Sequence, residues 1–480
     1  MDRNLRKRQY KQGAGDVSKL QEKKREEDSV LRKQRRDKLL NAKRVRVFSG
    51  GEVEEDEFTQ EQVCEVAKEI QKRGSDRFEQ LRQLKRMFAQ GSALIDAFLG
   101  VDNSLHALVG LLSGPDAALQ LEAAKCVANL SASIHEHCIL LLQSAAPYLI
   151  TYLSGQNTAL QDQCCWVLGN LAGDGPECRD GLITQGAALP LVKLLKSPTP
   201  SVVQSSAFAL SNLARGKDAN IRSLMEAGAA EPLVALISLT DTNQDTLAEA
   251  AWALTYLTAG GEYEKEFTSL GLIPRVVSAL EPLSNQKPHD ALSVTPLVRC
   301  LGNICCGPEE LVAAAMEDGT LLPTLGRLLV SEHRHIKKET LWALGNMTEV
   351  PTVCQQIVSL GMLPSIVASL ETTYDIKREA VVCLCNLAFQ GAAFCQALVE
   401  QNALPGVISL LKNADPDSVT LALGFSDMIL KNSSNGKQLF EESGGLGLLE
   451  PLEYHNNADI QRQVTEFLEV YFYKEDEATD

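Results

Sequence analysis

Aromatic side chains are scarce in this 480-residue chain: Phe, Tyr and Trp make up 5% of it, while hydrophobic residues of all kinds make up 45%. A β-sandwich draws on aromatic and β-branched cross-strand pairs, and that supply is missing. Strict apolar/polar alternation of useful length is missing too, so the abundant Leu and Ala point to packed helices. The 13 cysteines are an odd number and include no C-x-x-C pair. They sit in apolar runs such as Cys164–Cys165, Cys305–Cys306 and Cys383/Cys385, and no secretory signal opens the chain. Free buried thiols in a reducing compartment are expected, with neither zinc nor disulfides. The chain has no G-x-S-x-G, no phosphate-binding glycine loop and no H-E-x-x-H. No enzyme, no cofactor and no metal site is therefore expected. His135/His137 and His333/His335 are spaced i,i+2, which does not put two side chains on one helix face. They are expected to be surface or loop residues.

Positive charge is outnumbered over most of the chain. Residues 1–46 hold 17 Lys/Arg against 7 Asp/Glu, whereas the whole chain carries −16. A basic arm thus precedes a strongly acidic body. The arm should seek acidic surfaces, and the body should attract basic partners and repel nucleic acid. The stretch 48–58, which contains GGEVEEDE (50–57), reads as a flexible acidic linker, and 475–480 as an acidic tail.

What the chain has in quantity is a repeat. The segment CCWVLGNLAGDG (164–175) has counterparts that place a polar residue at Asn129, Asn170, Asn212, Tyr256, Asn303, Asn346 and Asn386, with a degenerate eighth at Asp427. Successive steps are 41, 42, 44, 47, 43, 40 and 41 residues. In parallel, Pro147, Pro190, Pro232, Pro274, Pro323, Pro364 and Pro405 open a middle helix, usually three or four residues after a glycine. A helical period near 42 predicts an armadillo or HEAT array over 59–474, with about nine to ten repeats stacked into a superhelix with a concave groove. The longest step should be absorbed by the polar loop SNQKPHD, 284–290.

Trp166 and Asn170 lie four apart, one above the other on a single helix face. In isolation an asparagine there is structural. Six in register predict a ladder of amides that fixes the path of an extended peptide by its backbone, with aromatic slots beside it for lysine stems.

These residues resemble importin-α, the nuclear-import adaptor family, along nearly the whole chain, and the chain is read as a divergent member. GNLAGDG (169–175), SNLARGK (211–217), AWALTYLT (251–258) and TPLVRCLGNI (295–304) are similar to the family's second to fifth repeats in order. The resemblance implies an all-α, right-handed superhelical armadillo solenoid. RKRQYKQGAGD (6–16) and KKREEDSVLRKQRRDKLLNAKRVR (23–46) look like the importin-β-binding helix assigned to 1–47. Its binding residues would be Lys23, Lys24, Arg25, Leu31, Arg32, Lys33, Arg35, Arg36, Leu39, Lys43 and Arg44. AKRVR (42–46) would occupy the groove as a self-mimic when importin-β is absent.

By the same resemblance, a major site for basic nuclear localisation signals would use Trp166, Asn170, Asp174, Phe208, Asn212, Glu249, Trp252 and Tyr256. A minor site would use Arg299, Asn303, Trp342, Asn346 and Asn386. Val382 stands where tryptophan is usual and Asp427 where asparagine is usual, so the minor site reads as degraded; in the first repeat Lys125 also stands where tryptophan is usual. Phe208 should keep an aromatic slot with a weaker cation–π attraction. The implied partners are importin-β, signal-bearing cargo and a nuclear export factor, with neither nucleic acid nor membrane, in cytoplasm and nucleus. The rival readings are an importin-β-binding scaffold or regulator with little cargo binding, and a membrane-associated protein. The last rests on CILLLQSAAPYLITYLSG (138–155), which is long enough to span a bilayer. It is diluted by polar residues and holds a repeat-marker proline, Pro147, and is expected to form two buried helices.

Overall fold

A computed structural model describes residues 57–72, 76–215, 218–239, 243–413 and 416–473. The basic arm, most of the linker and the acidic tail, with every residue expected to bind importin-β, lie outside the described residues. The chain divides into two compact units, the first ending at Ala229 and the second beginning at Ala230.

Among the described residues the only regular elements are helices. In the first unit four long helices stack in order: α1 (Arg77–Phe88), α2 (Ala117–Leu130), α3 (Thr158–Asp174) and α4 (Pro200–Leu213). In the second unit six do so: α5 (Gln244–Leu257), α6 (Ala291–Ile304), α7 (Arg334–Met347), α8 (Tyr374–Phe389), α9 (Pro416–Asn432) and α10 (Ala458–Tyr471). Most complete repeats put two shorter helices before the long one, for example His135–Ser144 and Ala146–Tyr152 before α3. This is the all-α armadillo arrangement that the period predicts.

Local chemistry explains the boundaries. Short polar side chains cap several long helices by accepting orphan backbone N–H groups: Asp116 from Ala118 and Leu119, Asn157 from Leu160, Asp290 from Leu292 and Ser293. The markers ahead of the middle helices also serve their purpose. Gly186 turns in the left-handed region at φ 83°, and Asn402 does so at φ 55° in a repeat that has no glycine there. The prolines fall in the first turn, where a missing N–H costs nothing.

Two expectations are corrected here. The 47-residue step does not sit in a polar loop alone. The middle helix of that repeat, Leu272–Asn285, has 14 residues, against 9 in Leu321–Leu329 of the next. The following loop is partly internal: the His289 ring is buried and bonds to Glu332, Ser331 and the Ser284 carbonyl. His137 is not a surface residue either, since its ring is buried between Ser133 Oγ and Asp96 Oδ1, 2.9 Å from each. His333 and His335 do meet, with ring centroids 5.5 Å apart, because His333 precedes the helix and escapes its i,i+2 geometry.

The run 138–155 is divided between two helices that meet at Ala145, with Leu141, Leu142 and Leu149 buried. Among the described residues no single helix is long and apolar enough to cross a membrane. Two sharply bent pairs, Ser92–Leu99 with Ser104–Leu112 and Pro351–Ser359 with Leu363–Glu371, pass together on length and composition.

Candidate functional site

The asparagine ladder is real, and its first partner is the protein. Within the first unit, Asn129 Nδ2 donates to the Lys85 carbonyl at 2.8 Å, Asn170 to Ala128 at 3.3 Å and Asn212 to Gly169 at 2.8 Å. Within the second unit, Asn303 donates to Thr255 at 2.8 Å, Asn346 to Gly302 at 2.9 Å and Asn386 to Gly345 at 2.8 Å. The acceptor is always one long helix back. From Asn170 onward it is the carbonyl of the residue just before that helix's own ladder position. Where a hydroxyl stands two residues beyond that position, it takes a second bond: Ser131 from Asn170, Thr258 from Asn303, Thr348 from Asn386. The amides therefore set the register between repeats and satisfy buried carbonyls that would otherwise be costly.

The glycine of two Gly–Asn pairs, Gly169 and Gly302, completes this device. A Cβ on Gly169 would stand 2.5 Å from the Phe208 ring, and one on Gly302 only 2.1 Å from the Trp342 ring. At these two joints the ring four residues before one asparagine packs against the glycine of the preceding helix, and that asparagine's amide bonds to the same glycine's carbonyl.

This packing redistributes the residues expected in the groove. Asn170 is 0% exposed, and Phe208, Asn212, Glu249, Arg299, Trp342 and Asn346 are all buried. The slot expected beside Phe208 is closed: its ring centroid is 5.0 Å from that of Trp166, whereas an alkyl stem between two rings needs about 7 Å or more. Arg299 is committed to Glu339. Its guanidinium grips the carboxylate through Nη2–Oε1 and through Nε–Oε2 at 3.0 Å, with both side chains only 8% exposed. At the last ladder position Asp427 accepts from Tyr471 Oη at 2.5 Å and from Lys431 Nζ at 2.7 Å. Lys125 bonds to Glu122 at 2.5 Å, and Lys85 reaches the same carboxylate at 3.4 Å.

The expected groove residues that keep contact with solvent are Trp166 in the first unit, and Trp252, Tyr256, Asn303 and Asn386 in the second, all half-buried; Asp174 is half-buried as a residue, but its side chain is only 8% exposed. Trp166, Asn170 and Asp174 occupy i, i+4 and i+8 of α3, a span of about 12 Å along one face. Trp252 stacks on Tyr256 with centroids 6.2 Å apart. The expected major site draws on both units, and each half stands by itself. Sequence reasoning missed His135, whose Nδ1 lies 2.5 Å from Asp174 Oδ2. Only the repeat register, which brings the start of one repeat's first helix beside the end of that repeat's long helix, would have exposed it.

The chain is similar to plant importin-α subunits from end to end. It is 28% identical to "Importin subunit alpha-9" of Arabidopsis thaliana over 94% of both chains. It is 29% identical to "Importin subunit alpha-2" of Oryza sativa subsp. japonica over 93% of this chain and 92% of the relative. The crystal structure of an engineered protein superposes with a TM-score of 0.75 at 25% identity, covering 86% of this chain and 98% of that one. A family model described as TMCO6 matches residues 63–472, and on that match the chain belongs to the TMCO6 family.

Proposed function

We propose that this protein is an importin-α-like transport adaptor whose acidic body takes a basic, extended signal peptide and whose arm docks on importin-β, in the cytoplasm and nucleus. The observation that carries the reading is the half-buried Trp166 indole on the same helix face as the Asp174 carboxylate. An indole face attracts an ammonium-bearing stem, and a carboxylate two turns on completes a site for a second cation. Trp252 with Tyr256 offers a second aromatic surface, on α5. The similarity to importin-α subunits over more than nine-tenths of both chains supports the same reading. The arm, 17 Lys/Arg in 46 residues, has the charge to dock on an acidic superhelix.

A second reading has specific support: a scaffold that binds importin-β and carries few cargoes. Phe208 closes a slot, Arg299 is held by Glu339, and Asp427 is held by Tyr471 and Lys431.

The test is fluorescence anisotropy of a lysine-rich signal peptide with the full chain, with importin-β present to engage the arm. Trp166→Ala and Trp252→Ala variants run beside it. Micromolar or tighter binding that both substitutions weaken supports the adaptor. Importin-β binding with no peptide binding supports the scaffold. Asn170→Ala is unsuitable here, because that amide holds two repeats together.

A further inference from the structure

We propose that His135 is a built-in occupant of the lysine site, bonded to the Asp174 carboxylate that a basic peptide has to reach, so that peptide binding must displace an internal pair. The inference rests on the peptide-groove reading above and adds what regulates it.

The geometry is specific. His135 opens the helix His135–Ser144, and its Nδ1 stands 2.5 Å from Asp174 Oδ2 at the C-terminal end of α3. The Asp174 side chain is 8% exposed and the His135 side chain 50%. The ring therefore covers the carboxylate from the solvent side. It is the more exposed partner and stands at the first position of its helix. The surroundings are acidic. On its own helix His135 is flanked by Glu136, with His137 turned inward to Asp96. From the next helix, Pro176–Thr184, Glu177 Oε2 stands 3.7 Å from His135 Nε2, and Cys178 Sγ lies 3.7 Å from Asp174 Oδ2. On that helix Arg179 is turned inward to the Ala172 carbonyl, and Asp180 accepts from Asn220. Asp174, Glu177 and Glu136 all favour the charged imidazolium and hold its pKa above the usual histidine value, with the Asp174 hydrogen bond the largest cause.

The sign follows. Below its raised pKa, His135 is a cation paired with Asp174 and competes with a peptide lysine. As pH rises through that pKa the pair loses its charge and the carboxylate is released, while the lysine stays protonated. Peptide affinity should therefore increase between about pH 6 and 8.

Two readouts on the full chain test this. The first is the NMR titration of the His135 ring, assigned with His135→Ala, in the wild type and in Asp174→Asn. The expected result is a pKa above the ordinary value in the wild type that falls toward it in Asp174→Asn, where Glu177 and Glu136 remain. An ordinary value in the wild type overturns the inference without any peptide. The second is the affinity for a lysine-rich peptide at pH 6 and pH 8, with importin-β engaging the arm. His135→Ala should bind about two- to fivefold more tightly than the wild type at pH 6, with little difference at pH 8. Equal binding by both chains at both pH values overturns the inference and leaves the groove standing. Absence of binding by either folded chain overturns the groove, and the inference with it.

Discussion

Asn346 on α7 donates its amide to the Gly302 carbonyl on α6 at 2.9 Å, and the Trp342 ring, one turn earlier on α7, covers the same glycine. One residue without a side chain thus serves two functions: its bare Cα receives an indole, and its exposed carbonyl receives an amide. At this joint the Gly–Asn pair of one repeat meets the Trp and Asn of the next.

Gly302→Ala follows directly. In a free helix the change stabilises by about 1 kcal/mol. Here the new methyl meets the Trp342 ring, and displacing a packed indole costs about 1–3 kcal/mol. Lowered thermal stability of the variant is expected, against unchanged or raised stability for alanine at the solvent-facing Gly424, where a Cβ meets nothing within 4 Å.

The amide of Asn346 separates hydrogen bonding from size. Asn346→Asp keeps the shape and removes the donor, leaving two acceptors facing each other. It should destabilise by about 1–3 kcal/mol, and at least as much as Asn346→Ala. Chemical denaturation of the two variants, read for the second unit, checks the order.

The Arg299–Glu339 pair is buried on both sides. Arg299→Met strands Glu339 in the interior and should cost about 3–5 kcal/mol, whereas Arg299→Met with Glu339→Leu should recover most of the loss. Recovery in the double variant, followed by thermal unfolding, distinguishes a structural pair from a peptide contact. A peptide contact would leave stability untouched in the single variant.

Thiol reactivity should follow burial. All 13 cysteines are free, and burial pushes Cys354 up to about 12 and Cys395 up to about 11. Cys64 and Cys306 are half-buried. Iodoacetamide at pH 8 should label Cys64 and Cys306 in the native chain before Cys354 or Cys395, as peptide mass mapping will show.

The repeat was legible because a solenoid repeats its chemistry. The spacing of Asn129, Asn170, Asn212, Asn303, Asn346 and Asn386, and the Pro that opens each middle helix, usually after a Gly, placed the long helices and their common face. The partners of the ladder were not legible. An asparagine offers the same amide to a peptide or to a carbonyl one repeat back, and periodicity is identical in the two cases.

Local pattern alone therefore determined the fold class, the repeat register and the acidic body with its basic arm, since each depends on neighbours within one or two turns or on summed charge. Tertiary structure decided which of those residues face solvent. Phe208 lies against Trp166 because Gly169 leaves room for it, Arg299 is taken by Glu339 forty residues on, and Asp174 is covered by His135 from the start of the same repeat. Such pairings depend on distances between helices, which no single helix's pattern records.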